Sequence, residues 1–370
     1  MIIGCPKEVK VQEYRVGLTP DNVAAYVAAG HTVYIEKDAG TAIGFTDQDY
    51  INAGAQITDK ETLFARAEMI IKVKEPISSE FSYFKPNTIL FTYLHLAAEE
   101  PLTKMLIEKK ISAVAYETIT TAQGLPCLQP MSQIAGRLSV IESCKYSQST
   151  FGGQGLLFSG VPGTPKGKVL ILGGGVVGLN AAQIAMGLGA DVTIMDIDAN
   201  RLAYIDQMFD MRIKTLYSTR QNLLAELPTA DAVIGAVLIP GAKTPKLIRR
   251  EDLALMKKGA ILTDVAIDQG GCFETSRVTT HNEPVYTIDG VVHYAVGNMP
   301  GCVARTSTIA LTNSTLKYGL ELAAKGLTAA VKENPAIREG LNTHQGHITC
   351  AGVAQAFNLP YVAALEALGS

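Results

Sequence analysis

The sequence lacks an excess of charge of either sign, and that absence excludes one class of partner. Lysine and arginine total 32, against 35 aspartate and glutamate residues, which gives a formal net charge of -3. Binding to nucleic acid requires a clear basic excess to neutralise phosphates, so we expect no nucleic-acid partner. At 370 residues and 47% hydrophobic, the chain is long and apolar enough to form two or three folded domains.

Cysteine is scarce and scattered along the chain. The six cysteines form no CxxC pair and no Cys/His cluster at the spacing of a zinc site. This pattern argues against a disulfide scaffold and against a zinc module, and it favours a reducing cytoplasm. The first residues also lack a basic segment that leads into an apolar one, so we expect no secretory signal.

One segment, 169–190, contains no charged side chain. Its length matches a membrane span, and Gly174 and Gly178 have the spacing of small residues at contacts between membrane helices. However, a glycine triplet lies near its start, and Lys168 and Asp191 flank it. A buried strand followed by a buried helix explains the segment better, so we expect no membrane partner.

Strand and helix patterns alternate over the first 127 residues. Residues 20–29 are typical of a helix, with Thr19 as N-cap and Gly30 as the stop. Segments rich in β-branched and aromatic residues predict strands at 2–3, 31–36, 69–74, 87–94 and 111–116. Such alternation predicts an α/β domain with a largely parallel sheet. Later strands are expected at 230–239 and 259–267, and helices from about 308 to the end.

The strongest local motif is a glycine turn, in which Gly173, Gly175 and Gly178 fit G-x-G-x-x-G. It follows an apolar strand and opens an uncharged helix, the context in which this motif binds a dinucleotide. The first glycine permits the tight turn, the second lets the backbone approach a pyrophosphate, and the third lets helix and strand pack closely. The alternative is a glycine-rich turn in an α/β domain that binds no nucleotide.

An acidic residue stands where such a domain recognises ribose. Asp196 ends the second strand and can accept a hydrogen bond from the ribose 2′-hydroxyl. A carboxylate there would repel a 2′-phosphate, which favours NAD over NADP, although Arg201 nearby weakens that preference. We therefore predict an α/β fold of two domains, with a central Rossmann-type domain at 128–305 and a discontinuous domain at 1–127 plus 306–370.

The chain resembles the alanine dehydrogenase family over almost its whole length. Besides the glycine turn, the segments that carry the resemblance are GCPKEVKVQEYRVGLTP, IIKVKEPI, LFTYLHLA, MSQIAGRLSV, AVLIPGAKTPKL, DVAIDQGGCFE and VGNMPGCVARTST, in the family's order. The resemblance implies that L-alanine, water and NAD react reversibly to give pyruvate, ammonium and NADH. It also implies a homohexamer.

Two cations match the residues that bind substrate in this family. Arg15 lies in the loop between the first strand and the first helix, and a guanidinium can hold both oxygens of a substrate carboxylate. Lys74 is expected at a strand end, where it could polarise a carbonyl oxygen. The alternative for Arg15 is a surface arginine. Lys72, two residues before Lys74, is expected on the same face of the strand but deeper, and the alternative for it is a solvated lysine.

Two further residues match the family's catalytic pair. His95 follows an apolar strand, and its imidazole can act as acid and base near neutral pH, although such a histidine can also be structural. Asp268 is expected to close a strand and to stabilise positive charge on nitrogen. Asp264, on the same strand, is expected to shape the domain. His344 and His347 are expected to form a loop pair without a third metal ligand.

The resemblance implies a further set of NAD contacts, several of them through backbone atoms. These positions are Ser132, Val176, Ser218, Val237, Leu238, Val265, Ala266, Ile267, Asp268, Arg277, Val296, Asn298 and Met299. Lys325 occupies the place where some members of the family have a histidine of a proposed metal site, so we expect no metal.

Two rival functions remain open. A related dehydrogenase could act on a different amino acid, because Arg15 and Lys74 recognise only the shared head group of a 2-oxo acid. Alternatively, the chain could be an NAD(H)-binding subunit of a transhydrogenase-like system, which needs neither a carboxylate clamp nor a histidine for proton transfer. The presence of Arg15, Lys74, His95 and Asp268 together argues against this second function.

Overall fold

The computed structural model describes residues 1–237 and 244–369. The chain divides into two compact units. The first comprises Met1–Met131 and Val303–Ser370, and the second comprises Ser132–Cys302. Each unit is built on a predominantly parallel sheet, which confirms the predicted α/β fold class.

The described residues form strands and helices in alternation. In chain order, the strands are β1 (Ile2–Cys5), β2 (Thr32–Glu36), β3 (Gln56–Thr58), β4 (Met69–Ile71), β5 (Ile89–Thr92), β6 (Ser112–Ala115), β7 (Lys168–Leu172), β8 (Asp191–Asp196), β9 (Lys214–Tyr217), β10 (Ala232–Gly235), β11 (Ile261–Asp264), β12 (Val285–Ile288), β13 (Val291–Tyr294), β14 (Leu341–His344) and β15 (His347–Ile348). The α-helices are α1 (Pro20–Ala28), α2 (Asp47–Asn52), α3 (Lys60–Arg66), α4 (Glu100–Glu108), α5 (Gln129–Tyr146), α6 (Val176–Gly187), α7 (Ala199–Met208), α8 (Arg220–Glu226), α9 (Ala304–Lys325), α10 (Leu327–Glu333), α11 (Pro335–Gly340), α12 (Ala351–Phe357) and α13 (Ala364–Ala367).

The sheet of the first unit has the order β15-β14-β6-β5-β4-β1-β2-β3. Strands β1 to β6 run parallel to their neighbours, whereas β14 is antiparallel to both β6 and β15. The winding reverses direction between the adjacent strands β1 and β4. In sheets of this kind, ligands bind beyond the carboxyl ends of the strands at that reversal.

The hairpin β14–β15 corrects the prediction that His344 and His347 form a loop pair. The two histidines are cross-strand partners, and Nδ1 of His344 lies 2.8 Å from the Ser112 hydroxyl of β6. The hairpin is too short to show an alternating pattern, so the sequence does not predict these strands in a segment expected to be helical.

The second unit has the strand order β12-β13-β11-β10-β7-β8-β9. Every pairing is parallel except that of β12 with β13. The order of β9-β8-β7 followed by β10-β11-β13 is that of a Rossmann sheet, with the reversal between β7 and β10. Apolar side chains from these strands, among them Leu170, Val233 and Leu262, form the buried core on one face.

The segment without charged residues forms β7 and α6, as predicted. No helix within the described residues has both the length and the hydropathy that a membrane crossing requires. Thr19 caps α1 through a capping box with Asn22, and Gly30 follows the helix at φ +85°, which also agrees with the prediction. Several strands end earlier than predicted, among them β4 at Ile71, β5 at Thr92 and β11 at Asp264.

Candidate functional site

Three predicted residues lie beyond the carboxyl edge of the first unit's sheet. Arg15 follows β1, Lys74 follows β4 and His95 follows β5. These strands are neighbours around the point where the winding reverses. The topology therefore brings the predicted substrate-binding and catalytic residues of this unit to the edge where ligands bind in such sheets.

Arg15 is not a surface arginine, because only 2% of it is exposed. Its Nε and Nη2 atoms donate to the two carboxylate oxygens of Glu13, at 2.7 and 2.6 Å. Burial alone would lower the pKa of Arg15, but the hydrogen bonds and charge of Glu13 outweigh it and raise the pKa. The third guanidinium nitrogen lies 3.3 Å from Sδ of Met131. The fork of Arg15 is thus held in one orientation.

Lys74 lies three residues beyond the end of β4, half-buried, rather than on the strand itself. Its backbone N–H donates to Glu8 at 3.3 Å, and its carbonyl accepts from the Thr92 hydroxyl at 3.2 Å. Lys72 is fully buried between Glu8 and Glu80, at 3.2 and 2.8 Å, which agrees with its expected deeper position and excludes the alternative of a solvated lysine. Burial would lower the pKa of Lys72, but the two carboxylates raise it.

His95 adopts a left-handed backbone conformation, with φ +49°. Such a conformation is uncommon for a residue other than glycine and is often retained at functional sites. The carboxylate of Glu117 holds it in place by accepting the backbone N–H groups of Leu94, at 3.1 Å, and of His95, at 2.6 Å. The imidazole stacks at 6.0 Å on the ring of Tyr93, and its side chain is 46% exposed.

Sequence reasoning missed Glu8, Glu13 and Glu117 at this edge. Glu8 and Glu13 lie in the same loop as Arg15, and Glu117 follows β6, the next strand of the sheet. Their position beyond strand ends is the signal that the sequence offers, but the spacing along the chain does not show which group each carboxylate contacts.

In the second unit, the glycine turn has the expected geometry. Gly173 has φ +103°, which favours glycine. A Cβ on Gly178 would lie 1.8 Å from the carbonyl oxygen of Gly173, so only glycine fits where α6 packs against the turn. Gly175 caps α6, and a Cβ there would meet nothing within 4 Å. The turn thus leaves open space at the N–H groups of a helix N-terminus, which suits a pyrophosphate.

Asp196 lies directly beside this turn. Its Oδ2 accepts the N–H of Gly174 at 2.6 Å, and its Oδ1 accepts the N–H of Asp198 at 2.9 Å. Arg201 donates through Nε to the carbonyl of Gly174. The backbone N–H of Ser218 donates to the carbonyl of Asp196 at 2.8 Å. The ends of β7, β8 and β9 therefore bring Gly174, Asp196 and Ser218 together, as a nucleoside-binding edge requires.

Asp268 does not close a strand, because β11 ends at Asp264 and Asp268 lies on the 3-10 turn Ile267–Gln269. It is exposed, and its Oδ1 would lie 3.1 Å from a Cβ on Gly297. Asp264 organises the loop that follows: its carboxylate accepts from the N–H of Cys272, at 3.0 Å, and from the hydroxyl of Ser276, at 2.5 Å. The domain-shaping role expected for Asp264 agrees with these contacts.

The remaining predicted NAD contacts fall into two groups. Close to the glycine turn is Val237, whose side chain would touch a Cβ on Gly173 at 3.1 Å. Beyond β11 and β13 are Val265, Ala266, Ile267, Val296, Asn298 and Met299, with Asn298 at φ +61°.

Three predicted NAD contacts belong to neither of these two groups. Ser132 is half-buried on α5, one turn before Gly136, where a Cβ would lie 2.2 Å from the Val177 carbonyl of α6. Arg277 is exposed and stacks 4.2 Å from the centre of the Tyr286 ring. Leu238 lies outside the described residues.

Lys325, at the end of α9, pairs with Glu321 at 2.9 Å and with Glu333 at 2.8 Å. Within the described part of the chain, no three His, Cys, Asp or Glu side chains group as a metal site would require. The absence of a metal stays a prediction.

Two family models match this chain, one in its N-terminal part and one in the remainder. Residues 4–135 match the model "Alanine dehydrogenase/PNT, N-terminal domain", and residues 139–351 match "Alanine dehydrogenase/PNT, C-terminal domain". An alanine dehydrogenase of Methanococcus maripaludis is 54% identical over 372 residues, which cover 100% of both chains.

Two solved structures are similar in fold. An L-alanine dehydrogenase superposes with a TM-score of 0.94 at 48% identity, over 97% of this chain and 99% of that one. A transhydrogenase from Sinorhizobium meliloti superposes with a TM-score of 0.81 at 22% identity, over 95% of this chain and 99% of that one. The second likeness shows a shared fold alone.

Proposed function

The chain belongs to the alanine dehydrogenase/PNT family, and on that premise we propose that it catalyses the reversible, NAD-dependent oxidative deamination of L-alanine to pyruvate and ammonium. The observation that carries the proposal is the placement of Arg15, Lys74 and His95 beyond neighbouring strands of one sheet. A unit that only holds a nucleotide has no use for two cations and an imidazole at that edge.

The substrate's carboxylate and carbonyl are assigned to the two cations. Glu13 fixes the orientation of the Arg15 guanidinium through two hydrogen bonds, and we assign this oriented guanidinium to the substrate carboxylate. Lys74 carries an ammonium on a long side chain, which we assign to the carbonyl oxygen, where negative charge develops.

Proton transfer is assigned to His95. Nδ1 of His95 lies 4.0 Å from a carboxylate oxygen of Glu117, so we assign Nε2 to the exchange of protons with water and with the substrate. Asp268, exposed beyond β11, is assigned to the positive charge on the substrate nitrogen. Both assignments rest on position and chemistry.

The second unit binds the cofactor, since the C-terminal domain of this family is its NAD-binding domain. The open space at Gly175 and the fit of Gly178 suit a pyrophosphate, and the carboxylate of Asp196 suits a ribose hydroxyl. NAD, when bound, supplies the two-electron oxidant for the reaction.

The experiment that tests the proposal is NADH formation with L-alanine, measured beside glycine, serine and lysine. We expect L-alanine to give the highest kcat/KM. Preference for another of these amino acids would indicate a related dehydrogenase, and NADH binding without turnover of any of them would favour the nucleotide-holding subunit.

Variants at His95 and Asp268 test the assignment of roles. His95→Ala and Asp268→Ala should each lower single-turnover rates by about 10²–10⁴-fold, the range for loss of a general acid or base, while NADH still binds. Asp191→Ala, exposed at the start of β8 and so at the opposite edge of this sheet from Asp268, is the matched control and should keep the parent rate. If His95→Ala keeps most of its turnover, His95 is structural and the proton travels through Lys74 or water.

We also propose a cytoplasmic homohexamer. All six cysteines are free, as suits a reducing compartment. An apolar groove of the second unit is lined by Ile141, Leu157 and Leu188, and the side chain of Leu157 is 61% exposed. Apolar surface of this kind favours contact with a second copy of the chain. Light scattering should give six times the chain mass, and Leu157→Asp should lower it.

A further inference from the structure

A buried carboxylate contacts the main chain at the peptide that leads into Lys74. Oε1 of Glu8 accepts the N–H of Val73 at 2.7 Å and that of Lys74 at 3.3 Å. The side chain of Glu8 is 2% exposed. The hydrogen bond from Val73 is buried and that from Lys74 is partly buried, and a buried N–H that lost its acceptor would destabilise the segment.

The sheet itself leaves these N–H groups without a strand partner on the β1 side. Pairing between β1 and β4 ends at Gly4 and Ile70. On the opposite side, β5 continues to support the segment, because the N–H of Tyr93 donates to the carbonyl of Val73 at 3.3 Å. Glu8 thus takes the place of the strand that β1 no longer provides.

Lys72 supplies a positive charge beside the Glu8 carboxylate in this buried position. Its ammonium contacts Glu8 at 3.2 Å and Glu80 at 2.8 Å. Burial raises the pKa of Glu8, and the charge of Lys72 opposes that rise. Glu80 also accepts the N–H of Ile77 at 3.1 Å, so the two carboxylates hold the segment 72–77 at its two ends.

From these contacts we infer that Glu8 is a positioning residue for Lys74. It fixes the main chain from which the Lys74 ammonium reaches the substrate, and it does so without touching the substrate itself. The inference rests on the proposed function, because Lys74 matters to turnover only if it binds the 2-oxo acid.

The test uses Glu8→Gln in the full-length enzyme. The amide of glutamine has one oxygen and one NH₂ group in place of the two carboxylate oxygens of Glu8. Either the two N–H groups or Lys72 must therefore face an NH₂ group, which cannot accept a hydrogen bond. We expect KM for pyruvate to rise about 10- to 100-fold, the order expected when a binding group is misplaced by about 1 Å, while the Kd for NADH changes less than about twofold. Glu8→Asp keeps the charge but withdraws it by one methylene, so it serves if Glu8→Gln does not fold.

A double-mutant cycle separates positioning from general destabilisation. In a Lys74→Ala background, Glu8→Gln or Glu8→Asp should lower kcat/KM for pyruvate less than about twofold further, because the group being positioned is gone. Glu80→Gln is the matched control: it also loses a contact with Lys72, but it does not touch the N–H of Lys74. It should lower the unfolding midpoint while leaving KM for pyruvate within about twofold of the parent.

Additive losses in the Lys74→Ala background, or an equal rise of KM in Glu80→Gln, would overturn the positioning role and leave the proposed function intact. Absence of turnover by the parent enzyme with L-alanine and with pyruvate would overturn both.

Discussion

Alanine substitutions at two glycines of the glycine turn should affect different properties, stability at Gly178 and cofactor binding at Gly175. At Gly178, a Cβ would lie 1.8 Å from the carbonyl oxygen of Gly173 and 3.3 Å from Cγ2 of Ile171. At Gly175, a Cβ would meet nothing within 4 Å, and φ is −69°, which any residue adopts. Gly178→Ala should therefore lower stability, and Gly175→Ala should lower cofactor binding.

The magnitudes follow from what each methyl group would displace. Overpacking typically costs about 1–3 kcal/mol, and the atom in the way of Gly178→Ala is a backbone oxygen that cannot rotate aside, so we expect about 3 kcal/mol. In a domain of this size that loss lowers the unfolding midpoint by about 6–12 °C. At Gly175, loss of a favourable N-cap residue is offset by about 0.4–1 kcal/mol from the less flexible unfolded chain.

Cofactor binding should respond in the reverse order. If the pyrophosphate approaches the backbone at Gly175, the added methyl group occupies its place. We expect NADH binding by Gly175→Ala to weaken at least tenfold, which is about 1.4 kcal/mol. Thermal unfolding and fluorescence titration with NADH measure the two effects. Parent-like NADH affinity in Gly175→Ala would refute the location of the pyrophosphate, and an unchanged midpoint in Gly178→Ala would refute the packing argument.

Three further predictions concern charge. Asp196→Ala should weaken NAD binding by roughly 1.5–3 kcal/mol and reduce the preference for NAD over NADP. The measurement is the Michaelis constant for each cofactor, and unchanged constants would show that Asp196 does not contact the ribose. Arg15→Lys and Lys74→Arg should both raise KM for pyruvate, because neither cation reproduces the other's geometry; a normal KM in Arg15→Ala would place the carboxylate elsewhere. Burial lowers the pKa of His293 from 6.5. Below that pH the unfolded chain therefore takes up a proton that the folded chain does not, and stability falls. His293→Gln should lose this component of the acid sensitivity of the unfolding midpoint, and an unaltered pH profile would contradict it.

Local sequence patterns predicted the parts of the fold and site that depend on neighbouring residues. The glycine turn, its strand and its helix lie within one stretch of chain, and the spacing alone places Asp196 at the turn. The α/β class followed from the alternation of strands and helices in the same way. Thr19 and Gly30 likewise act within their own helix, so the ends of α1 were predictable.

Features that depend on distant residues were not predictable. The sequence leaves a solvated Lys72 open as an alternative, because nothing near this lysine shows that Glu8, from the loop after β1, pairs with it. Arg15 pairs with its near neighbour Glu13, but its burial depends on distant residues such as Met131, which the local sequence does not show. The sequence predicts Asp268 at a strand end, because the apolar run continues to Ile267. In the structure, the strand ends at Asp264, whose carboxylate accepts the N–H of Cys272.

The pairing of charges explains how one sheet edge can hold several cations. Arg15 and Lys72 are both buried, and each lies against its own carboxylate, Glu13 for the first and Glu8 with Glu80 for the second. A buried cation without such a partner would be strongly destabilising. Because Glu13 neutralises Arg15, the role proposed for this arginine depends on the orientation of its guanidinium more than on net charge. Half-buried Lys74 stands nearer to solvent, where its charge can be directed at an incoming anion, and its main chain is held by the carboxylate that Lys72 compensates.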